Sequence, residues 1–166
     1  MTGTWRLIVL AALGSSACVP SDGPTMRPGD DCLRCHGNHP GGTDEAGPVQ
    51  KATFWSLAGT VYSAFNSDPN SGIEGAHVEI TDNTGFSFDL ETNLVGNFYS
   101  AESVAFPLQR VCVTSGGATR CMEDPAPNGA CNYCHTQPPP TIQPPLTMPI
   151  PGRICSGPGC VLSAGD

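Results

Sequence analysis

The sequence predicts a mainly β protein, built as a small sandwich of short strands. Segments such as "GAHVEITD" and "FSFDLET" alternate apolar and polar residues, and turn residues separate such segments at intervals of about ten residues. Outside the N-terminal leader, no long stretch repeats apolar residues with the period of a helix. The 20 glycines, the 17 prolines and the 39% of hydrophobic residues in 166 positions fit one all-β core of about 80 residues better than a large enzyme with a deep cleft.

The chain divides into six segments around this predicted core. Composition shifts and clusters of proline and glycine give the boundaries. The segments are a signal peptide (1–17), a tether (18–31), a first cysteine-containing segment (32–52), the β-sandwich (53–124), a second cysteine-containing segment (125–137) and a proline-rich tail with a "CSGPGC" loop (138–166).

The N-terminal leader is typical of a secretory signal. The apolar run "LIVLAALG" is too short to span a bilayer, and the small residues Ser15 and Ala17 permit cleavage before Cys18. The segment resembles a bacterial lipoprotein signal, which implies that Cys18 is lipidated, although Ser15 stands where leucine is usual. We therefore expect an exported protein, periplasmic or on the outer membrane or cell surface, with a lipid anchor and a tether rich in Pro, Gly and Asp. The alternative is ordinary secretion with a spare thiol at position 18.

Two segments of the sandwich region give the clearest strands. Their alternation predicts that one face of each strand turns toward the core while His77 and Glu79 lie on the opposite face. The turn signal "DNTG" separates the two segments. The predicted core-facing residues are Ala76, Val78, Ile80, Phe86, Phe88 and Leu90.

Residues 58–100 resemble the carboxypeptidase regulatory-like, or prealbumin-like, β-sandwich. The matching elements are "GTV", then "GIEGAHVEI", a turn, and "TNLVGNFY". The resemblance implies an Ig-like or prealbumin-like sandwich that serves as a spacer or binding platform, and it implies no chemistry.

The nine cysteines fall into three groups: one lipidation candidate, four that form two predicted disulfides, and four in the two C-x-x-C-H motifs. Export places the chain in an oxidising compartment, where disulfides persist. Cys112 and Cys121 flank a predicted strand, turn and strand, while Cys155 and Cys160 close the "CSGPGC" loop. Proximity along the chain favours these two bridges, although other connectivities stay open. With Cys18 set aside, four cysteines remain in the motifs "CLRCH" and "CNYCH".

The pattern C-x-x-C-H is the attachment motif of c-type haem. Two thiols at this spacing reach the two vinyl groups of one porphyrin, and the adjacent histidine reaches the iron from the same side. Two copies strengthen the signal, because the whole chain has only four histidines. The sequence therefore predicts two covalent haems, with thioether bonds and proximal iron ligands from Cys32, Cys35 and His36, and from Cys131, Cys134 and His135.

Two other chemistries compete for the same cysteines. Four thiolates would suit zinc, but two C-x-x-C pairs of one zinc site usually lie about 15–20 residues apart. Here residues 36–130 lie between Cys35 and Cys131, so a shared site requires the two ends of the sandwich region to meet. A disulfide within each pair is the other alternative. A thioredoxin-like enzyme would need a βαβ context, which the sequence lacks.

An electron-carrying haem iron takes a sixth ligand, His or Met. The candidates are His39, His77 and Met122. His39 follows His36 too closely to cap the same haem, so it would cap the other one if the two motifs meet. The plain alternatives are a loop histidine, a solvent-facing strand histidine and a methionine at the edge of the core.

The two motifs resemble those of small multihaem c-type cytochromes of bacterial surfaces, in which C-x-x-C-H lies in loops. The resemblance implies an electron carrier at the bacterial cell envelope, not an enzyme, that meets redox partner proteins and sits on the membrane through a lipid anchor. The formal charge of −8 argues against nucleic acid and permits a basic redox partner. Two alternatives stay open: a disulfide-stapled or zinc-binding surface lipoprotein that acts as a binding or adhesion module without haem, and a haem peroxidase or sensor with an open iron position.

Overall fold

A computed structural model describes Thr25 and residues 27–37, 54–65, 67–135 and 153–160, without the side chains of Cys35 and residues 157–159. The predicted mainly β class is confirmed. The strands are β1 (Leu57–Thr60), β2 (Tyr62–Ala64), β3 (His77–Thr81), β4 (Ser87–Glu91), β5 (Asn97–Ser100), β6 (Arg110–Ser115), β7 (Ala118–Cys121) and β8 (Cys155–Gly159), and the helices are the single turns α1 (Leu33–His36) and α2 (Cys131–Cys134).

The strands form one larger sheet and two strand pairs. The larger sheet is antiparallel, in the order β4-β3-β6-β7. In the pairs, β1 runs antiparallel to β5 and β2 runs parallel to β8. Only Val61 separates β1 from β2, so the two pairs follow each other along one line of chain.

The largest buried apolar cluster joins the four-stranded sheet to the β1–β5 pair. Val78 and Ile80 on β3 belong to the same buried cluster as Leu57 on β1 and Phe98 on β5. His77 and Glu79 turn away from this core, as the alternation of the sequence predicts. The arrangement is consistent with a β-sandwich. The finer likeness to the prealbumin-like sandwich stays a prediction.

Phe86 differs from the sequence prediction. It precedes β4 and leaves 48% of its surface exposed, stacked on Phe88 with ring centroids 5.6 Å apart. The preceding Gly85 has φ +85°, so the chain is still in the turn at this point and the alternation begins one residue later. Phe88 and Leu90 pack against the core as predicted.

Two disulfides link the pairs expected from the sequence. Cys112 joins Cys121 across the paired strands β6 and β7, and Cys155 joins Cys160 at the end of β8. The second bridge packs against the buried ring of Tyr62, which holds β8 against β2. In the described parts of the chain, no helix has the length and apolar character to cross a membrane.

The free edge of β1 carries the segment that leads into α2. The Ala58 N–H donates to the Gly129 carbonyl over 3.0 Å, and Ala58 forms a parallel bridge with Ala130. A side chain at Gly129 would collide with the Ser56 carbonyl, so glycine allows this close approach. The second cysteine motif is thereby fixed to the sandwich by backbone contacts.

Candidate functional site

The two cysteine motifs form the same local structure. In the first motif the His36 N–H donates to the Cys32 carbonyl over 3.0 Å, and in the second the His135 N–H donates to the Cys131 carbonyl over 2.9 Å. Each motif is therefore one helical turn that runs from its first cysteine to its histidine. The first cysteine and the histidine of each motif are therefore one helical turn apart along the chain.

The fold brings these two turns together. The side chain of Asn132, between the cysteines of the second motif, donates from Nδ2 to the Asp30 carbonyl over 2.8 Å, and the same Nδ2 lies 4.0 Å from Cys32 Sγ. Leu33 of the first motif shares a small buried cluster with Ala58 and Ala130. The two cysteine motifs at the ends of the sandwich region thus meet, as a site shared between them requires.

A buried polar network surrounds this junction. Asn132 Oδ1 accepts the backbone N–H of Thr60 over 2.9 Å, and Asn132 Nδ2 also donates to Thr60 Oγ1 over 2.9 Å. Thr60 Oγ1 accepts the Gly29 N–H over 2.9 Å and donates to Asn97 Oδ1 over 2.8 Å. One donor and two acceptor positions are all that a hydroxyl offers, so Thr60 Oγ1 is fully used.

His36 is buried in an aromatic stack. Its ring lies 3.9 Å from the ring of Trp55, which in turn lies 4.1 Å from the ring of Tyr99, with interplanar angles of 17° and 12°. His36 is only 8% exposed, and its Nδ1 is buried without a hydrogen-bond partner. Burial lowers the pKa of His36, which favours the neutral imidazole that ligates metals. Most buried polar atoms have a partner, so an orphaned ring nitrogen calls for an explanation such as an absent ligand.

The three described thiols of the site, those of Cys32, Cys131 and Cys134, have raised pKa values. Burial raises the pKa of Cys32 to about 11, with Asp31 adding to the effect, and burial raises that of Cys131 to about 12, with Cys32 adding to it. Burial likewise raises the pKa of Cys134. Burial therefore favours the protonated thiols of these three cysteines, which is the opposite of the lowered thiol pKa of thiol–disulfide enzymes. The charge effects between Cys32, Cys131 and Cys134 also show that the two motifs share one neighbourhood.

The other candidate iron ligands lie apart from this junction or outside the described residues. His77 is exposed on the outer face of the four-stranded sheet, with Nε2 3.4 Å from Asp89 Oδ1. Met122 follows β7 with 37% of its surface exposed, and its N–H donates to the Val111 carbonyl. Neither makes a described contact with the cysteine motifs, so both stay predictions. His39 and the lipidation candidate Cys18 lie outside the described residues.

The donor set fits a covalently attached haem. Each motif places its first cysteine and its histidine one helical turn apart, and in the first motif Nδ1 of the buried His36 has no hydrogen-bond partner. Within the described side chains, no three from His, Cys, Asp and Glu gather into a group that could hold a bare metal ion. The residues that would hold the two haems are those predicted from the sequence: Cys32, Cys35 and His36, and Cys131, Cys134 and His135.

Sequence reasoning missed the residues that connect the motifs. They are Trp55, Tyr99, Thr60 and Asn132. Thr60 and Asn132 gave no signal because they bond to each other across 72 positions of the chain. No protein-family model, curated protein or solved structure matches the chain. The function proposed below therefore depends on the motifs and on their geometry.

Proposed function

We propose that this protein is an exported dihaem c-type cytochrome that transfers single electrons at the bacterial cell envelope. One observation carries the proposal: two C-x-x-C-H motifs form equivalent helical turns and meet at the free edge of β1. Haem attachment uses every residue of that repeated pattern, whereas a disulfide or a four-thiolate zinc site leaves both motif histidines without a role.

The chain's own residues have defined parts in this proposal. Cys32 and Cys35, and Cys131 and Cys134, form the thioether bonds. His36 and His135 are the proximal ligands, with His39, His77 and Met122 as candidates for the distal positions. Two bound haems would supply reversible one-electron exchange at iron.

The surroundings of His36 suit this role. Trp55 covers one face of the His36 ring, and the backbone N–H of Trp55 donates to the backbone carbonyl of His36 over 2.8 Å. These contacts fix the ring and keep water from it. The burial of ligand and cofactor is one of the means by which a protein sets a reduction potential.

The protein acts as a carrier and not as an enzyme. Cleavage before Cys18 and lipidation of that cysteine would anchor it to a membrane, and its net charge of −8 would favour docking of a basic redox partner. The same charge disfavours nucleic acid as a partner.

The proposal is tested by producing the full chain in a host that has a c-type cytochrome maturation system. We expect an intact mass increased by two haems and sharp low-spin bands in the reduced visible spectrum. Cys32→Ser with Cys35→Ser, and separately Cys131→Ser with Cys134→Ser, should each remove one haem. Cys112→Ser with Cys121→Ser is the matched control and should keep both. A colourless protein of apo mass would overturn the proposal.

The closeness of the motifs also favours a second candidate, a surface lipoprotein that binds partners and is stapled by disulfides or by zinc. Cys32 and the second motif share one neighbourhood, as a site with thiolates from both motifs requires. The same preparation distinguishes the two candidates. Stoichiometric zinc that is lost on either cysteine-pair substitution would support the binding module. A two-haem protein with high-spin bands would instead indicate a peroxidase or sensor with an open iron position.

A further inference from the structure

The two variable positions of the second motif have opposite environments. Asn132 is 1% exposed, whereas its neighbour Tyr133 is 48% exposed. Haem attachment itself places no demand on either position. The thioether bonds to the haem therefore do not explain why Asn132 is buried.

Asn132 uses both ends of its amide group. Its Oδ1 accepts the Thr60 N–H, while its Nδ2 donates to Thr60 Oγ1 and to the Asp30 carbonyl. Only an amide side chain of this length offers one acceptor and two donors in this arrangement, because aspartate has no N–H and leucine has neither donor nor acceptor.

These hydrogen bonds connect three separate parts of the chain. Asp30 lies two residues before the first thiol, Cys32, and Asn132 directly follows Cys131. Thr60, on β1, bonds to Asn132, and its hydroxyl also accepts a hydrogen bond from the Gly29 N–H. The lead-in to the first motif is thereby fastened to the second motif through one strand of the sandwich.

We infer that Asn132 is a positioning residue that holds the two haem-attachment turns in one fixed arrangement, so that the two haems exchange electrons directly as a coupled pair. This inference rests on the proposed function. Its physical basis is distance: the electron that reduces one iron changes the charge felt by the other, and this effect falls off as the separation grows. Unpaired spins on the two irons also couple only at short range.

The test compares Asn132→Leu with Tyr133→Leu, which changes the exposed position of the same motif. In the haem-loaded protein we expect the wild type and Tyr133→Leu to show spin-coupled EPR signals and two interacting reduction potentials. We expect Asn132→Leu to keep two haems while the coupling falls and the two potentials become independent. Unchanged EPR signals and potentials in Asn132→Leu, or two independent signals in the wild type, would overturn the inference.

A second measurement works without cofactor. In the unloaded protein, amide hydrogen exchange over residues 29–37 should accelerate by about tenfold or more in Asn132→Leu, the effect of losing one or more buried hydrogen bonds. Thr60→Val should do the same, Thr60→Ser should restore protection because it keeps the hydroxyl, and Tyr133→Leu should leave it unchanged.

The two measurements fail in different ways. If the chain takes up no haem, the proposed function is wrong and so is the coupled pair, whereas hydrogen exchange still decides whether Asn132 fastens the two motifs. If haem is bound but exchange over residues 29–37 is the same in Asn132→Leu and wild type, the proposed function stands and the positioning role is wrong.

Discussion

The ring of His36 lies on the ring of Trp55 at a centroid distance of 3.9 Å. His36 belongs to the first C-x-x-C-H motif and Trp55 lies two residues before β1, so the stack joins the motif to the sandwich. Offset aromatic stacks contribute about 0.5–1.5 kcal/mol beyond the area that they bury. The contact also places a fluorescent side chain beside the proposed haem ligand.

Trp55 should report haem attachment directly. The chain has two tryptophans, and the other, Trp5, lies in the predicted signal peptide, so the processed protein would retain Trp55 alone. We expect its emission to be strong in the unloaded protein and almost fully quenched after haem attachment, because a nearby haem accepts the excitation energy. His36→Ala should alter the emission of the unloaded protein, whereas His77→Ala should not. Undiminished Trp55 emission in a protein of two-haem mass would contradict the placement of a haem at His36.

Gly59→Ala should loosen the second motif from the sandwich. A methyl group at position 59 would lie 2.5 Å from Phe98 Cζ and 2.9 Å from Cys131 Cβ, and the buried Phe98 ring has little room to move. We expect a loss of about 1–3 kcal/mol in the free energy of unfolding, typical of an overpacked core. Urea denaturation measures this loss.

The expected sign of the Gly59→Ala effect is informative. Where alanine fits without strain, a Gly→Ala change stabilises a protein by about 0.4–1 kcal/mol, because it lowers the conformational entropy of the unfolded chain. A net loss in the free energy of unfolding is therefore smaller than the cost of the collision itself. Ala101→Val, at an exposed position, is the control and should stay within about 0.5 kcal/mol of the wild type. An unchanged or raised stability in Gly59→Ala would show that Phe98 and Cys131 are not closely packed on β1.

Asp82 should make the protein sensitive to acid. Its side chain lies at the end of β3 and accepts the N–H groups of Thr84, Phe86 and Ala105 and the Thr84 hydroxyl, at 2.6–3.1 Å. The hydrogen bond from the Thr84 hydroxyl and those from the backbone lower the pKa of Asp82 to about 2. Because the pKa in the folded protein lies below the usual value of 3.8, the stabilisation is complete above pH 4 and is lost as the pH falls toward 2.

Melting temperatures measured from pH 2 to pH 7 test this dependence. Asp82→Asn should melt well below the wild type near pH 6, because the amide cannot accept all of these hydrogen bonds, and the difference should shrink as the pH approaches 2. Asp124→Asn, at an exposed position, should follow the wild type throughout. A difference for Asp82→Asn that is the same at pH 2 and pH 6 would show that the ionised carboxylate is not the stabilising form.

The Cys112–Cys121 disulfide should stabilise the sandwich without influencing the site. Its two cysteines lie nine positions apart, and the closure of so short a loop is worth about 2–3 kcal/mol in lost entropy of the unfolded chain. Cys112→Ala with Cys121→Ala should lower the free energy of unfolding by that amount while haem content and spectrum stay unchanged. Loss of haem in this variant would indicate that the bridge also supports the cysteine motifs.

The sequence predicts what depends on neighbours along the chain. The alternation at Val78 and Ile80 fixes which face of β3 is buried, and the short spacing of Cys112 and Cys121 fixes their bridge. The motif turns are too short to give a helical period, so the sequence contains no signal for α1 and α2. The Asn132–Thr60 contact depends on how strands far apart in the chain come together, and no local pattern contains that information.

The bond from Asn132 to the Asp30 carbonyl spans 102 positions, and this separation has a consequence in time. At a synthesis rate of about 5–20 residues per second, the first motif leaves the ribosome roughly 5–20 s before the side chain that fastens it. During that interval Asp30 and Cys32 lack the side chain of Asn132, which contacts both of them in the folded protein. The second motif has no such interval, because β1 and Thr60 already exist when Asn132 arrives. The two copies of one motif therefore reach their final contacts in a fixed order, and the second copy joins a strand that has already been made.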